Sequence, residues 1–110
     1  MFTQELKKGS TELLILALLE ARQRHGYELG KLIETRSGGR LQFRVGSLYP
    51  ILCRLEAQHL ILGRWVEKPG ERRRRFYRLT PAGRAALAEQ RTAWSDFTAA
   101  VNQIVGGEHA

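Results

Sequence analysis

Cysteine is nearly missing from this chain. Cys53 is the only one in 110 residues, so no intrachain disulfide can form, no CxxC pair exists, and nothing suggests an oxidising compartment. The three histidines, His25, His59 and His109, fall in different segments without metal-ligand spacing. No nucleophile–base pair and no glycine-rich phosphate loop can be found. No apolar run is long enough to span a bilayer. The stretch LLILALL at 13–19 follows Lys7 and Lys8, which gives it a passing likeness to a signal peptide. It is bounded by Glu12 and Glu20, however, and runs into EARQRH with no small-residue cleavage site. It reads as a buried helix. These absences argue against an enzyme, a cofactor and a membrane partner, and they make the cytoplasm the default location.

Hydrophobic residues at 43% and charged ones at 26% are enough for a small folded core, and the length suits one domain. The charge is lopsided. Eighteen Lys and Arg against eleven Asp and Glu leave +7, with a pI near 10.3, which favours a polyanionic partner, either nucleic acid or an acidic surface.

Periodicity predicts a first helix from about Ser10, a possible N-cap, to about Arg22. Its apolar residues are almost continuous, which implies packing on more than one side and hints at a second subunit. A second helix is expected from Tyr27 to Arg36, with Leu29, Leu32 and Ile33 on one face, His25 capping or positioning its start and SGGR ending it. A third is expected over about 47–59, with Pro50 in its first turn. From about 63 to 79 the period becomes two, and GRWVE, KPGE and RRRRFYRLT read as strand, Pro69–Gly70 turn and strand. Thr80 and Pro81 suit the N-cap and first position of a long final helix running to about Val105. Along that helix Leu87, Trp94, Phe97, Val101 and Ile104 recur with coiled-coil-like spacing.

Helix, helix, helix, hairpin, helix is the order of a winged helix-turn-helix, mainly α with a small β-hairpin, followed by a long C-terminal dimerisation helix. Residues 1–80 are expected to form the DNA-binding part and 81–110 the dimerisation helix and a short tail. On a wheel of the third helix, Leu48, Ile51, Leu52 and Leu55 share the packing face. Ser47, Pro50, Arg54 and Ala57 look outward, and small side chains around one arginine allow close approach to a major groove, where Arg54 suits guanine O6 and N7. Tyr49 borders both faces, its hydroxyl within reach of a phosphate. The hairpin from Arg64 to Arg78 carries seven basic residues, among them Lys68, Arg72, Arg73, Arg74 and Arg75, against two acidic ones, for +5 of the chain's +7. Concentrated cation on a ribbon suits phosphates and the minor groove. A protein-interaction module whose wing meets an acidic protein stays open as the alternative. Cys53 reads as a packing residue, with a redox role requiring exposure and a lowered pKa.

The stretches KKGSTELLILALLEA at 7–21, HGYEL at 25–29, GSLYPILCRLEAQHLI at 46–61 and RRRRFYRLTPAGRAAL at 72–87 together resemble the PadR family of bacterial transcriptional regulators. The resemblance implies a homodimer, usually a repressor, on a palindromic double-stranded operator, often responsive to small aromatic compounds. It carries recognition-helix roles to Ser47, Leu48, Tyr49, Pro50 and Arg54, with Leu48 on the core side, and phosphate roles to the wing arginines. The single terminal helix resembles that of short-tailed members, which place a tryptophan near the dimer interface at the position of Trp94. Candidate dimer and effector residues are thus Trp94, Phe97, Val101 and Ile104, joined by Leu14 and Leu18. Four consecutive arginines depart from the family pattern.

Overall fold

The computed structural model describes residues 10–107; Lys7, Lys8 and His109 lie outside them. Helix α1 spans Thr11–Ala21, strand β1 Arg24–His25, α2 Gly26–Arg36, α3 Val45–Ala57, β2 Ile61–Val66, β3 Arg74–Leu79 and α4 Pro81–Val105. The sheet is antiparallel in the order β1-β3-β2. This is the winged-helix order expected from the sequence, with a third, two-residue strand added.

Helix α1 is buried on several sides because it lies at the centre. It meets α2, α3, β3 and α4 and contributes Ile15, Leu16, Leu18 and Leu19 to the core. Leu29 and Ile33 from α2, Leu48, Leu52 and Leu55 from α3, Ile61, Tyr77 and Leu79 from the sheet, and Leu87 from α4 complete that core. Each fully buried Leu or Ile contributes about 1.5–3 kcal/mol relative to exposure, so the interior is small but continuous. Arg24 is buried among these residues. Its Nε donates to the Leu18 carbonyl at 2.7 Å and its Nη1 to Glu28 Oε2 at 2.9 Å, tying the end of α1 to the first turn of α2.

Helix α3 starts two residues earlier than the sequence pattern suggested. The Arg44 carbonyl accepts from both Ser47 N and Leu48 N and opens the helix, which puts Pro50 sixth in it instead of in the first turn. Proline cannot donate to the carbonyl four residues back. That carbonyl belongs to the exposed Gly46, where water can satisfy it. At the other end, Leu60 N donates to Leu55 O at 3.0 Å and His59 N to Glu56 O at 2.9 Å, closing a Schellman-type cap. His59 holds the left-handed position of that cap, at φ 61.

The cap leads directly into the joint with α4. The Thr80 side chain accepts from Gly83 N at 3.0 Å, while Thr80 N reaches the Leu60 carbonyl at 3.1 Å. Gly83 lies so close that a Cβ there would come within 1.9 Å of the Leu60 oxygen. Further along, Arg91 donates to both carboxylate oxygens of Glu20, at 3.0 and 2.9 Å, aligning α4 with α1. Beyond that point the helix projects from the body. The radius of gyration is 16.0 Å, against about 13 Å for a compact chain of this length.

Two substitutions test this account. Gly83→Ala, normally favourable in a helix, should cost about 3 kcal/mol because the new methyl meets backbone. Thermal melting should then fall by about 10 °C or more. His59→Gly should instead stabilise by about 0.5–1 kcal/mol, raising the melting point a few degrees, since glycine adopts positive φ without a Cβ penalty.

Candidate nucleic-acid interface

Helix α3 turns Leu48, Leu52 and Leu55 inward and leaves Ser47, Tyr49, Pro50, Cys53, Arg54 and Ala57 exposed. The outward stripe is therefore mostly small side chains around one arginine. Arg54 Nη2 lies 3.5 Å from Glu12 Oε2, with the Arg54 side chain half-exposed and that of Glu12 about one-third exposed. A pair so placed is worth at most about 1 kcal/mol, so Arg54 can exchange it for another acceptor at little cost.

The wing rises beside this helix. Its tip is the turn Lys68–Pro69–Gly70–Glu71, closed by Glu71 N donating to Lys68 O at 3.0 Å, with Gly70 at φ 77. Strand pleating then separates Arg74 from Arg75, the two arginines of the run that lie in β3, because neighbouring residues in a strand face opposite sides. Arg75 stands opposite Trp65 and Arg74 opposite Val66. On the Trp65 side, Arg73 stacks over the indole at 4.3 Å and Arg75 at 5.5 Å. Arg75 also pairs with Glu56 of α3 at 2.6 Å, which raises the guanidinium pKa still further. On the other side, Arg74 Nη1 meets His25 Nε2 at 2.9 Å. Arg73 has only a loose exposed contact with Glu67 at 3.8 Å. Arg72 and Lys68 have no ion-pair partner among the described residues.

Between the start of α2, α3 and the wing lies an open groove of about 400 Å³. Tyr27, Tyr49 and Trp65 form aromatic walls, and Arg72 to Arg75 form a cationic rim. Tyr77 lies at its base, with its phenol pKa pushed up to about 12, chiefly by burial. Cation and exposed aromatic surface thus share one concave face, suited to a phosphate backbone with groups stacked beside it.

His25 caps α2, as the sequence suggested, accepting from Glu28 N at Nδ1. It also contributes to β1, which pairs Arg24 with Tyr77 and His25 with Phe76. A strand of two residues has no periodicity to detect, so no local pattern marks it. The ring stands edge-on to Phe76 at 5.1 Å. A neutral imidazole has one acceptor nitrogen, so at any moment it can accept from either Glu28 N or Arg74, but not both. Burial first, then Arg74, lowers its pKa, with Arg22 adding to the effect and Glu28 opposing it.

The dimerisation candidates lie away from this face. Trp94, Phe97 and Ile104 are exposed at 45%, 61% and 80%, Val101 is half-buried, and Trp94 and Phe97 pair at 6.2 Å between ring centroids. They form an apolar stripe that is largely exposed among the described residues. Leu14 is half-buried and Leu18 lies inside the core. Among the described residues no group of three metal-ligating side chains occurs, and no helix is long and apolar enough to cross a membrane.

Comparison with known proteins agrees with this geometry. The profile of the Transcriptional regulator PadR-like family matches residues 15–89. The chain is 37% identical to the transcriptional regulator Rv3488 of Mycobacterium tuberculosis, over 96% of this chain and 92% of that protein. The solved structure of a transcriptional regulator from Clostridium thermocellum superposes with a TM-score of 0.87 at 26% identity, over 96% and 99% of the two chains. PadR of Bacillus subtilis, solved in complex with operator DNA, has the same fold. It superposes with a TM-score of 0.67 at 22% identity, over 73% of this chain and 45% of that one.

The position of His25 leads to a pH effect. Its ordinary value is 6.5 and its folded value is lower, so as pH falls the unfolded chain binds this proton before the folded one does. Stability is therefore lost below about pH 6.5, until the folded group protonates as well. Melting temperature should drop between about pH 7.5 and about pH 5.5, and drop less in His25→Asn, which keeps a capping oxygen. Equal drops in the two proteins would remove His25 as the source.

Proposed function

Because the chain belongs to the PadR-like family of transcriptional regulators, we propose that it is a homodimeric, sequence-specific repressor. In this reading it binds a palindromic double-stranded operator and is released by a small planar aromatic effector. The observation that carries the reading is the exposed edge of α3, Ser47, Tyr49, Pro50 and Arg54, standing beside a wing that bears Lys68 and four consecutive arginines.

Each part has a physical role. The small outward residues let α3 enter the major groove, and Arg54 reads a guanine edge with two parallel donors. Tyr49 and the wing cations Lys68, Arg72, Arg73 and Arg74 hold the backbone and release counterions. The exposed apolar stripe of Trp94, Phe97 and Ile104, with half-buried Val101, is the kind of surface that marks a protein interface, and in this reading a second copy covers it. Pairing through α4 repeats the recognition helix about a two-fold axis, which calls for two half-sites about one helical turn apart. The tilted Trp94–Phe97 pair in that seam offers rings on which a planar effector can stack. Family membership and the absence of a catalytic constellation in the sequence both speak against an enzyme.

Duplexes selected by the protein from a random pool provide the test. Selected DNA should bind two chains per duplex. Arg54→Ala should cut the preference for selected over scrambled duplex by about a hundredfold or more, the worth of one bidentate base contact in each half-site. Arg73→Ala or Arg74→Ala should weaken both duplexes alike and lower the salt slope by about 1.8, since each removes one phosphate contact from both chains of the dimer. If no duplex is enriched, DNA recognition is excluded, and an unchanged preference in Arg54→Ala would move base reading to another residue.

A further inference from the structure

Glu56 is the one acidic residue in α3, and it faces the wing instead of solvent. Its Oε2 accepts from Gly63 N at 3.2 Å and from Arg75 Nη2 at 2.6 Å. A single carboxylate oxygen thus joins the last turn of the recognition helix to both long strands of the wing. Both side chains are about three-quarters covered, at 25% and 27% exposure, whereas Arg73 keeps 55%. Water screens such a pair less than it screens the other wing contacts.

Two further features fit the same arrangement. The Arg75 guanidinium lies flat across β2 at Gly63, where an added Cβ would sit 2.6 Å from Arg75 Nε and 2.8 Å from its Cζ. A side chain at 63 would push the arginine away from Glu56. Beyond the carboxylate, the same guanidinium packs over Tyr77 at 5.9 Å and Trp65 at 5.5 Å, and Arg73 covers the other part of the indole at 4.3 Å. The outer wing is a two-stranded ribbon, a form with little stability by itself. The stack runs from α3 outward along that ribbon and stiffens it.

We propose that Glu56 and Arg75 form a strut that sets the angle of the wing to the recognition helix, making Arg75 a positioning residue and not a phosphate contact. The inference rests on the DNA-binding reading above and deepens it. Simultaneous entry of α3 and the wing into neighbouring grooves demands a fixed angle between them, and the strut supplies it before DNA arrives. Preorganisation of this kind spares the ordering cost at the moment of binding. Phosphate contact is left to Lys68, Arg72, Arg73 and Arg74.

The sign of one substitution separates the two roles. If Arg75 were a phosphate contact held back by Glu56, Glu56→Gln would free it, tighten binding and steepen the salt slope. As a strut, Glu56→Gln should weaken the selected duplex by about tenfold, Arg75→Gln should do the same, and the double variant should be no worse than either, the non-additivity expected of two residues in one contact. Neither should change the salt slope, whereas Arg72→Gln should lower it by about 1.8, one phosphate contact in each chain of the dimer. A slope lowered by Arg75→Gln, or tighter binding by Glu56→Gln, overturns the proposal. Hydrogen exchange on the DNA-free protein gives a separate readout: amides of residues 63–66 and 74–77 should exchange faster in both single variants while α1 stays protected. Unchanged wing protection overturns the strut whatever the DNA result, and failure of every variant and the parent to bind any duplex, with wing exchange altered as expected, rejects the DNA reading alone.

Discussion

The carbonyl of Leu60 is the point on which the geometry of this molecule depends. It lies where α3 ends and β2 begins, and it receives the Thr80 backbone N–H and faces Gly83. The end of the recognition helix, the root of the wing and the first turn of α4 therefore converge within a few ångströms. A rigid joint here fixes the direction in which α4 leaves the body. Since α4 carries the apolar stripe, the same joint fixes how two recognition helices would be spaced in a dimer. The Arg91–Glu20 fork extends this constraint one level outward, holding α4 against α1 before it projects.

Charge on the wing is organised instead of merely accumulated. A run of four arginines suggests a cloud of equivalent cations, but pleating sends Arg74 and Arg75 of β3 to opposite sides, and each of the four has a different setting. Arg75 is drawn inward by Glu56, Arg74 meets His25, Arg73 stacks on Trp65, and Arg72 is left to solvent. Long flexible side chains lose entropy when they grip a phosphate. Stacking on an indole restrains one of them in advance, so less is lost on binding. The charge crowded into this run is accommodated by neighbours that hold its members apart.

Several features were legible in the sequence because they depend on local chemistry. Thr80 and Pro81 announce the start of α4, His25 caps α2, and Leu48, Ile51, Leu52 and Leu55 mark the face of α3 that packs. Features that depend on distant partners were not. Glu56 looks like an ordinary surface acid until β2 and β3 are brought against it. The early start of α3, which puts Pro50 in the second turn, depends on the Arg44 carbonyl and the exposure of Gly46. Arg24, which any composition rule would place outside, is buried because the free carbonyl at the end of α1 and Glu28 both need its donors. Leu18, grouped by sequence with the exposed seam, lies in the core because α1 is surrounded.

By itself, the sequence determined the order of the four helices and the two long strands, the apolar faces, the caps that open α2 and α4 and the concentration of positive charge between Arg64 and Arg78, since periodicity, capping and net charge act over a few neighbouring residues. Tertiary structure alone decided which arginines remain free, where Pro50 falls in its helix, how closely Gly83 approaches Leu60 and what Glu56 is for. Each of those depends on a backbone or side chain brought near from a distant part of the chain, and no local pattern encodes a contact whose other half is supplied by folding.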